Sequence, residues 1–321
     1  MYRLFSDAHY DFLGLRKKAY LASGTALAVS LAAAVFWGIS KGQPLNYGVD
    51  FTGGTVVQVR VPQARDAGDL RGVVEAAVPG TEITRFGDAG GDYLIRTPGA
   101  GDEATRGSDA VVNALRGKFG NDGVNVGRIE AVSGKVGGEL QTKALLAILL
   151  SFGATLVYLA FRFEWRFGTA AVVATIHDIL LTLGLIIILR LEVSLPMVAA
   201  ILTIVGYSLN DTIIVFDRIR ENLRTARRSE FTQTLNRSIN ETLPRTVLTV
   251  ATTLTTLLAL FLFGGMTIRQ FALILIIGIV LGTYSSIFVA SPVLLEIEKR
   301  WPGETAVKAG GKRPAKRPAR A

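Results

Sequence analysis

Six long apolar segments recur along the chain, each near the 20 residues that a helix needs to cross about 30 Å of hydrocarbon. The first lacks a small-residue cleavage site followed by a mature soluble chain, so we interpret it as a retained anchor. The pattern predicts a polytopic α-helical membrane protein with six transmembrane helices. The predicted spans are Ala19–Ile39, Ala144–Phe161, Gly168–Leu189, Leu195–Phe216, Thr246–Gly264 and Phe271–Leu295.

The segment between the first two spans has the periodicity of a soluble domain. Alternating apolar residues predict strands, and apolar residues three and four apart predict helices. The order βαββαβ is typical of a small α+β ferredoxin-like domain. The predicted strands are 55–61, 81–86, 93–97 and 124–132, the predicted helices are 66–78 and 103–119, and Gly87–Gly91 is the predicted turn before the third strand.

Basic residues cluster at one set of segment ends, which accounts for much of the net charge of +9. Because cytoplasmic flanks carry an excess of Lys and Arg, this bias predicts that both termini are cytoplasmic and that the domain is extracytoplasmic. We interpret the basic tail as a disordered strip near anionic lipid, with a specific ribosome or partner contact as the alternative. The predicted organisation is a cytoplasmic N-terminus at 1–18, a first span at 19–39, the extracytoplasmic domain at 40–143, five further helices at 144–295 and a basic cytoplasmic tail at 296–321.

Composition restricts the chemistry that the chain can perform. The sequence contains no cysteine, which excludes disulfides, thiolate nucleophiles and Cys-ligated metals, and its two histidines, His9 and His177, leave little for a metal site. It also has no Walker-type nucleotide motif. We therefore expect a protein that is not an enzyme and has no cofactor or bound metal.

Asp178 is the charged residue with the clearest energetic cost of membrane insertion, since a carboxylate at the bilayer centre raises the insertion free energy by about 2.5–3.5 kcal/mol. It lies ten residues into its predicted span, about 15 Å from either membrane face. Thr175 and Thr182 share its helical side, whereas His177 is expected to point about 100° away. One interpretation is a structural Asp held by local hydroxyls or one ion pair. The other is a group that takes up and releases a proton.

A second set of polar residues lies in the fourth span. Helical spacing places Ser208, Asp211 and Arg218 on one face, with Asp211 in the inner third of the membrane. Arg218 lies at the cytoplasmic border, where snorkelling and the charge bias also explain it. Asp217 at the same border is the weaker candidate.

Two stripes of small or hydroxyl residues are predicted to face the interior of the bundle. We favour close helix packing over a functional role for both, because such residues commonly serve packing in membranes. The hydroxyl stripe comprises Thr249, Thr252, Thr253 and Thr256, with Ser151, Thr155 and Tyr158 in the second span, and the small stripe comprises Gly278, Gly282, Ser286 and Ala290.

Four ordered motifs resemble the SecF family over almost the whole chain. They are Asn46-Tyr47-Gly48-Val49-Asp50-Phe51-Thr52-Gly53-Gly54, Val136-Gly137-Gly138-Glu139-Leu140, His177-Asp178 and Tyr207–Asn222.

This resemblance implies a subunit that works with SecD, as a separate chain, to assist export of unfolded proteins, with protons as the coupling ion and an architecture similar to the RND superfamily. The implied proton pathway comprises Asp178 and Arg218, with Asp211 resembling the Asp that SecD supplies. The implied partners are SecD, the SecYEG translocon, membrane lipid and, as further candidates, YajC and YidC, without nucleic acid. The implied location is the bacterial inner membrane.

Two other function classes use similar residues. A proton-coupled exporter of lipid or small solute would share charged helices but normally has twelve spans and larger outer domains. An intramembrane aspartyl protease also needs two Asp on neighbouring spans. Here the second Asp follows Tyr-Ser-Leu-Asn, which departs from the Gly-x-Gly-Asp pattern of that family.

Overall fold

Long helices account for most of the chain in the computed structural model, which describes residues 8–64, 66–85, 91–97, 102–132, 134–225 and 230–302. A short 3₁₀ turn, Leu13–Leu15, precedes the first of them. The predicted turn at 87–90 and the basic tail from 303 onward lie outside the described residues. The long helices are α1 Arg16–Lys41, α5 Gly134–Arg162, α6 Trp165–Ile188, α7 Leu195–Thr225, α8 Phe231–Phe263 and α9 Met266–Ser285, which continues through a π-helical turn, Ser286–Ala290, into α10 Ser291–Arg300.

These helices provide six candidate membrane spans among the described residues, with α9, the π turn and α10 forming one. Even the 24 residues of α6 reach about 36 Å at 1.5 Å per residue, more than the hydrocarbon thickness. The chain is therefore a polytopic helical membrane protein, as the hydropathy pattern predicts. The ends differ: α7 continues to Thr225 and α8 begins at Phe231, fifteen residues before its predicted start.

The chain divides into two compact units, and the first comprises 1–45, 148–191 and 196–321. Its apolar core is formed largely by α6, α7 and the segment from α9 to α10. In the core, Phe216 packs edge-on against Phe163 and Phe167, and Ala170, Ala171 and Ala174 are fully buried. The spans of α1, α5 and α8 leave most of their apolar residues exposed in the isolated chain, as expected of helices that meet lipid or partner helices.

Two glycines of the small stripe allow α9 to lie close to α7. A Cβ at Gly278 would come within 2.1 Å of Ile204 Cδ1, and one at Gly282 within 2.9 Å of Ser208 Cβ. These contacts support the packing interpretation of this stripe. They also bring Ser208 and the neighbouring Ser285 towards the same interior space.

The second unit comprises 46–147 and 192–195 and is built on a four-stranded sheet. Neighbouring strands are antiparallel, and their spatial order is β3 (Glu82–Arg85), β4 (Asp92–Thr97), β2 (Gly54–Arg60) and β5 (Asn125–Val132). Its elements follow the predicted order within a few residues. They are β2 Gly54–Arg60, α3 Ala67–Ala77, β3 Glu82–Arg85, β4 Asp92–Thr97, α4 Asp102–Phe119 and β5 Asn125–Val132.

One face of this sheet is covered by the two helices. Leu70 and Val74 of α3 and Val111 and Leu115 of α4 pack against buried strand residues in one apolar core. Asp66 caps α3 by accepting hydrogen bonds from two backbone N–H groups in its first turn, which stabilises a helix by about 1 kcal/mol.

A short parallel pair adds a segment that the sequence does not place in this unit. Strand β1, Asn46–Tyr47, pairs with β6, Glu192–Val193, which belongs to the connection between α6 and α7. The one-turn helix α2, Val49–Thr52, follows β1 and leads into β2.

Candidate functional site

Asp178 lies in the buried centre of α6 with 1% of its surface exposed. Its Oδ2 accepts hydrogen bonds from the hydroxyl of Ser208 on α7 at 2.5 Å and from that of Ser285 on α9 at 2.6 Å. Asp178 is thus hydrogen-bonded by hydroxyls, as one of the two interpretations expects, but the hydroxyls come from α7 and α9 and not from its own helix. Thr175 donates to the carbonyl of Ala171 instead.

His177 is also close to this carboxylate. Its Nδ1 lies 3.0 Å from Asp178 Oδ1, and its Nε2 lies 3.0 Å from Ser23 Oγ on α1. The expectation that His177 points away from Asp178 is therefore wrong. The Cα–Cβ directions of adjacent helical residues diverge by about 100°, but the two side chains bend towards each other.

The contacts continue from His177 to α9 and back to α1. Ser23 Oγ lies 3.2 Å from the Tyr284 hydroxyl, which donates to the carbonyl of Ala19 at 3.0 Å. The Tyr284 ring also stacks beside His177 with 6.2 Å between ring centroids. Residues of α1, α6, α7 and α9 therefore form one buried hydrogen-bonded network.

Asp211 is equally buried, at 1% exposed, and differs sharply from Asp178. Neither of its carboxylate oxygens has a hydrogen-bond partner within the described ranges. Arg245 of α8 is the charged residue that acts on it electrostatically. An ionised carboxylate in such a site is very costly unless it is paired, so Asp211 is suited to exist in two charge states.

Arg245 is a functional candidate that the sequence analysis missed. Hydropathy places the start of the fifth span at 246, which assigns Arg245 to a cytoplasmic loop. In the structure it lies within α8, directly after Pro244 and fourteen residues from the first residue of the helix. The signal that could have revealed it is the amphipathic pattern of 231–245, in which Leu235 and Ile239 are buried.

Arg218 is not near Asp178. Its Nε donates to Glu241 at 2.6 Å and its Nη1 to Glu221 at 2.6 Å. Ten residues of α7, or about 15 Å of helix, separate Arg218 from Ser208, which contacts Asp178. The expected attraction between Asp178 and Arg218 is therefore not formed in this structure, and the nearby Asp217 pairs with Arg162.

The hydroxyl stripe faces the interior of this chain only in part: Thr249 of α8 and Ser151 and Thr155 of α5 are partly buried. Thr252 and Thr256 are exposed, and Thr253 is partly buried beside the Tyr207 hydroxyl at 3.4 Å. Thr249 and these three residues donate to carbonyls one turn earlier in the helix, which satisfies each hydroxyl without a partner helix. Tyr158 of α5 is likewise 49% exposed.

The motif at 50–54 forms a compact turn in the second unit. The Asp50 carboxylate accepts a hydrogen bond from the backbone N–H of Leu195 at 2.8 Å, and the Thr52 hydroxyl donates to the carbonyl of Gly48 at 3.1 Å. Asp50 thus binds the first residue of α7, where a negative charge is favourable. Phe51 is buried, with its ring edge-on to that of Tyr47.

The Gly-Gly pair at the end of this motif is required by the backbone. Gly53 has φ 73° and ψ 173°, and Gly54 has φ 113°, conformations that are essentially restricted to glycine. A Cβ on Gly137 would approach the carbonyl oxygen of Phe51 to 2.9 Å. The two glycine motifs of the sequence therefore pack backbone to backbone.

An ion pair lies beside this motif. Glu192 pairs with Arg96 of β4, and both side chains are largely buried. Burial raises the pKa of Glu192 from its ordinary value, with the opposing attraction of Arg96 as a smaller influence. This pair joins β6 to the four-stranded sheet.

Comparison with known proteins gives the family. The family model "Protein export membrane protein SecD/SecF, C-terminal" matches residues 112–300, and the "SecD/SecF GG Motif" matches residues 42–63. The protein translocase subunit SecF of Gemmatimonas aurantiaca is 46% identical over 310 residues, covering 94% of this chain and 91% of the relative. That of Rhodothermus marinus is 42% identical, covering 93% and 96%.

A solved structure has the same fold. The crystal structure of SecDF from Thermus thermophilus, described as a translocon-associated membrane protein, superimposes with a TM-score of 0.80 at 37% identity. The match covers 94% of this chain and 40% of the SecDF chain. The matched models, the identity over most of the length and the shared fold agree, and the chain belongs to the SecF family of protein translocase subunits.

Proposed function

We propose that this protein is the SecF-type subunit of the Sec protein-export machinery of the bacterial inner membrane. With a SecD-type partner, it uses the proton motive force to assist translocation of unfolded proteins. Family membership supports the export role. The observation that carries the coupling role is Asp211, a fully buried membrane carboxylate whose oxygens have no hydrogen-bond partner in the described part of the chain.

Asp211 is the proton-exchanging group of this proposal. When ionised, it is attracted to Arg245 of α8 across the α7–α8 boundary. When protonated, it loses that attraction, and the two helices are free to shift. One elementary charge crossing 100 mV releases about 2.3 kcal/mol, enough for a roughly 50-fold bias between two conformations.

Asp178 and Arg218 have different parts in the pathway. Asp178 is already satisfied by two hydroxyls and His177, so it acts through the network that it organises. Arg218 lies with Glu221 and Glu241 in a charged cluster at 37% side-chain exposure. We assign it to the cytoplasmic mouth of the route.

The family and the surface of the membrane unit support the proposed partners. This chain spans 40% of SecDF, and the SecD half is proposed as a separate chain. The exposed apolar residues of α1, α5 and α8, with Arg245 and the hydroxyl stripe on α8, offer a membrane-embedded surface for it. SecYEG is the proposed translocon, with YajC and YidC as further partners.

The second unit is proposed to be the extracytoplasmic part. Its βαββαβ order and the antiparallel strand order β3-β4-β2-β5 support a ferredoxin-like domain, corresponding to residues 40–143. It would contact the emerging chain or partner surfaces without bond chemistry. The basic flanks support cytoplasmic termini, at 1–18 and 296–321.

This orientation predicts opposite reporter activities at two positions. A reporter fused after Ala321 should be active only in the cytoplasm, because Lys and Arg flanks are retained there. One inserted in the exposed turn at 120–123 should be active only outside. Exchange of the two activities would contradict the proposed topology.

The export role predicts that vesicles without this chain lose proton-dependent protein export even when a proton gradient is imposed. Vesicles depleted of this chain should lose the part of export that depends on an imposed proton gradient, and the purified chain added with SecD should restore it. Affinity isolation of the tagged native chain should recover SecD.

A proton-coupled exporter of lipid or small solute is the competing function, and the same preparation distinguishes it. It predicts unchanged protein export and altered solute tolerance in the depleted strain. That outcome would contradict the proposed function.

A further inference from the structure

We infer that His177 and Asp178 share one proton and form a second proton-binding site of the membrane unit, separate from Asp211. For its use in coupling, this inference rests on the proposed function. The protonation state itself is measurable without export.

The donor and acceptor in each hydrogen bond of the network can be assigned in turn, starting from the backbone carbonyl of Ala19. The carbonyl of Ala19 can only accept, so the Tyr284 hydroxyl uses its one hydrogen there, at 3.0 Å. The contact of 3.2 Å between Ser23 Oγ and the Tyr284 oxygen is then a bond in which Ser23 donates. Ser23 has no second hydrogen, so in its contact of 3.0 Å with His177 the ring Nε2 must donate.

With a hydrogen on Nε2, the contact between Nδ1 of the same ring and Asp178 requires a further hydrogen. Nδ1 lies 3.0 Å from Asp178 Oδ1, and one hydrogen must lie between these atoms. If Nδ1 carries it, the pair is an imidazolium and a carboxylate. If Oδ1 carries it, the pair is a neutral imidazole and a carboxylic acid. Both forms have zero net charge and hold one proton more than a carboxylate beside a neutral imidazole.

The burial of the two side chains also favours one extra proton on the His177–Asp178 pair. Asp178 and His177 are 1% and 7% exposed, and an isolated ionised carboxylate in such a site is far more costly than a neutral pair. Asp178 Oδ2 accepts from the Ser208 hydroxyl at 2.5 Å and from the Ser285 hydroxyl at 2.6 Å, the shorter of the two contacts of Ser285, which also lies 3.0 Å from the Gly282 carbonyl. Oδ1 is the oxygen that faces Nδ1 and shares the proton, and the site can release it only by leaving a net negative charge in the membrane unit.

The histidine content allows a direct measurement. The chain has two histidines, so His9→Gln, at an exposed position, leaves His177 as the single imidazole. Nitrogen NMR of this full-length variant, labelled with ¹⁵N-histidine and placed in lipid bilayers, reports the protonation of each ring nitrogen. We expect a protonated Nε2 together with a hydrogen in the Nδ1···Oδ1 contact, seen as a protonated Nδ1 or as a protonated carboxyl carbon that correlates with Nδ1 in ¹³C-aspartate-labelled protein. A bare Nε2, or a bare Nδ1 beside an ionised carboxylate, would overturn the inference.

A second variant tests whether Tyr284 sets the direction of the hydrogen bond between His177 and Ser23. In Tyr284→Phe, the Ser23 hydroxyl is free to donate to the ring, and we expect a bare Nε2 signal to appear in part of the population. Tyr207→Phe is the matched control, since it removes a membrane tyrosine hydroxyl that contacts Thr253 outside this network, and it should leave the His177 signals unchanged. A fully protonated Nε2 in Tyr284→Phe would overturn the role given to Tyr284. These measurements use the chain without translocon, so failure of the export proposal would not alter their outcome.

Discussion

Asp211→Asn should abolish the proton-driven part of protein export while leaving insertion and SecD binding intact. Asparagine has nearly the shape of aspartate but cannot ionise, so the switch between attraction to Arg245 and its absence is lost. We expect loss of the roughly 50-fold bias that one charge moving through 100 mV can supply. The measurement is export into vesicles with an imposed proton gradient, compared with export driven without it.

The matched control is Asp217→Asn, six residues further along the same helix. Asp217 is 39% exposed in its side chain and pairs with Arg162, and exposed ion pairs contribute about 0–1 kcal/mol. Export should therefore change little in this variant. Wild-type export by Asp211→Asn across the gradient would show that Asp211 is structural and that protons take another route.

Gly53→Ala should destabilise the second unit by about 1–3 kcal/mol, the cost of holding a non-glycine residue in this backbone region. Gly53 has φ 73° and ψ 173°, and its backbone nitrogen lies 3.1 Å from the position of a Cβ on Gly137. The turn therefore has little room to relax. Hydrogen exchange of the β2 and β5 amides in the full-length protein measures the free energy of local unfolding.

A second glycine in the same unit should respond in the opposite direction. Gly72 lies inside α3, and a Cβ there meets no atom within 4 Å. Gly72→Ala should stabilise the unit by about 0.5–1 kcal/mol, because alanine loses less backbone entropy in a helix. Equal protection of the β2 amides in the two variants would contradict the structural requirement for glycine at 53.

The sequence predicts the membrane helices well wherever a segment is apolar on all sides. It fails at the start of α8, where residues 231–245 bury one side and expose charges on the other, so that mean hydropathy falls below that of a span. The true helix begins at Phe231. That error concealed Arg245, the charge that acts on Asp211.

The candidate carboxylates could be found from sequence, but their partners could not. The depth of Asp178 and Asp211 follows from their positions in apolar runs. Whether each is hydrogen-bonded depends on which helices touch, and the approach of α9 to α7 at Gly278 and Gly282 decides it for Asp178. Helical spacing within one element predicted Thr175 as a neighbour, whereas Ser208 and Ser285 come from other elements.

Because of the π turn at Ser286–Ala290, the sequence spacing between two residues on either side of it does not give their relative position around the helix axis, as it does in an uninterrupted α-helix. Ser291 Oγ donates to the carbonyl of Ser286 at 3.0 Å within this wider turn, and a π turn contains one residue more than the α-helical turn that it replaces. Side chains after it are rotated by about 100° relative to an uninterrupted helix. One residue can therefore be gained or lost between 286 and 290 while both flanking segments stay helical, so homologous chains that differ in length there can still present Tyr284 and Leu294 to the same neighbours.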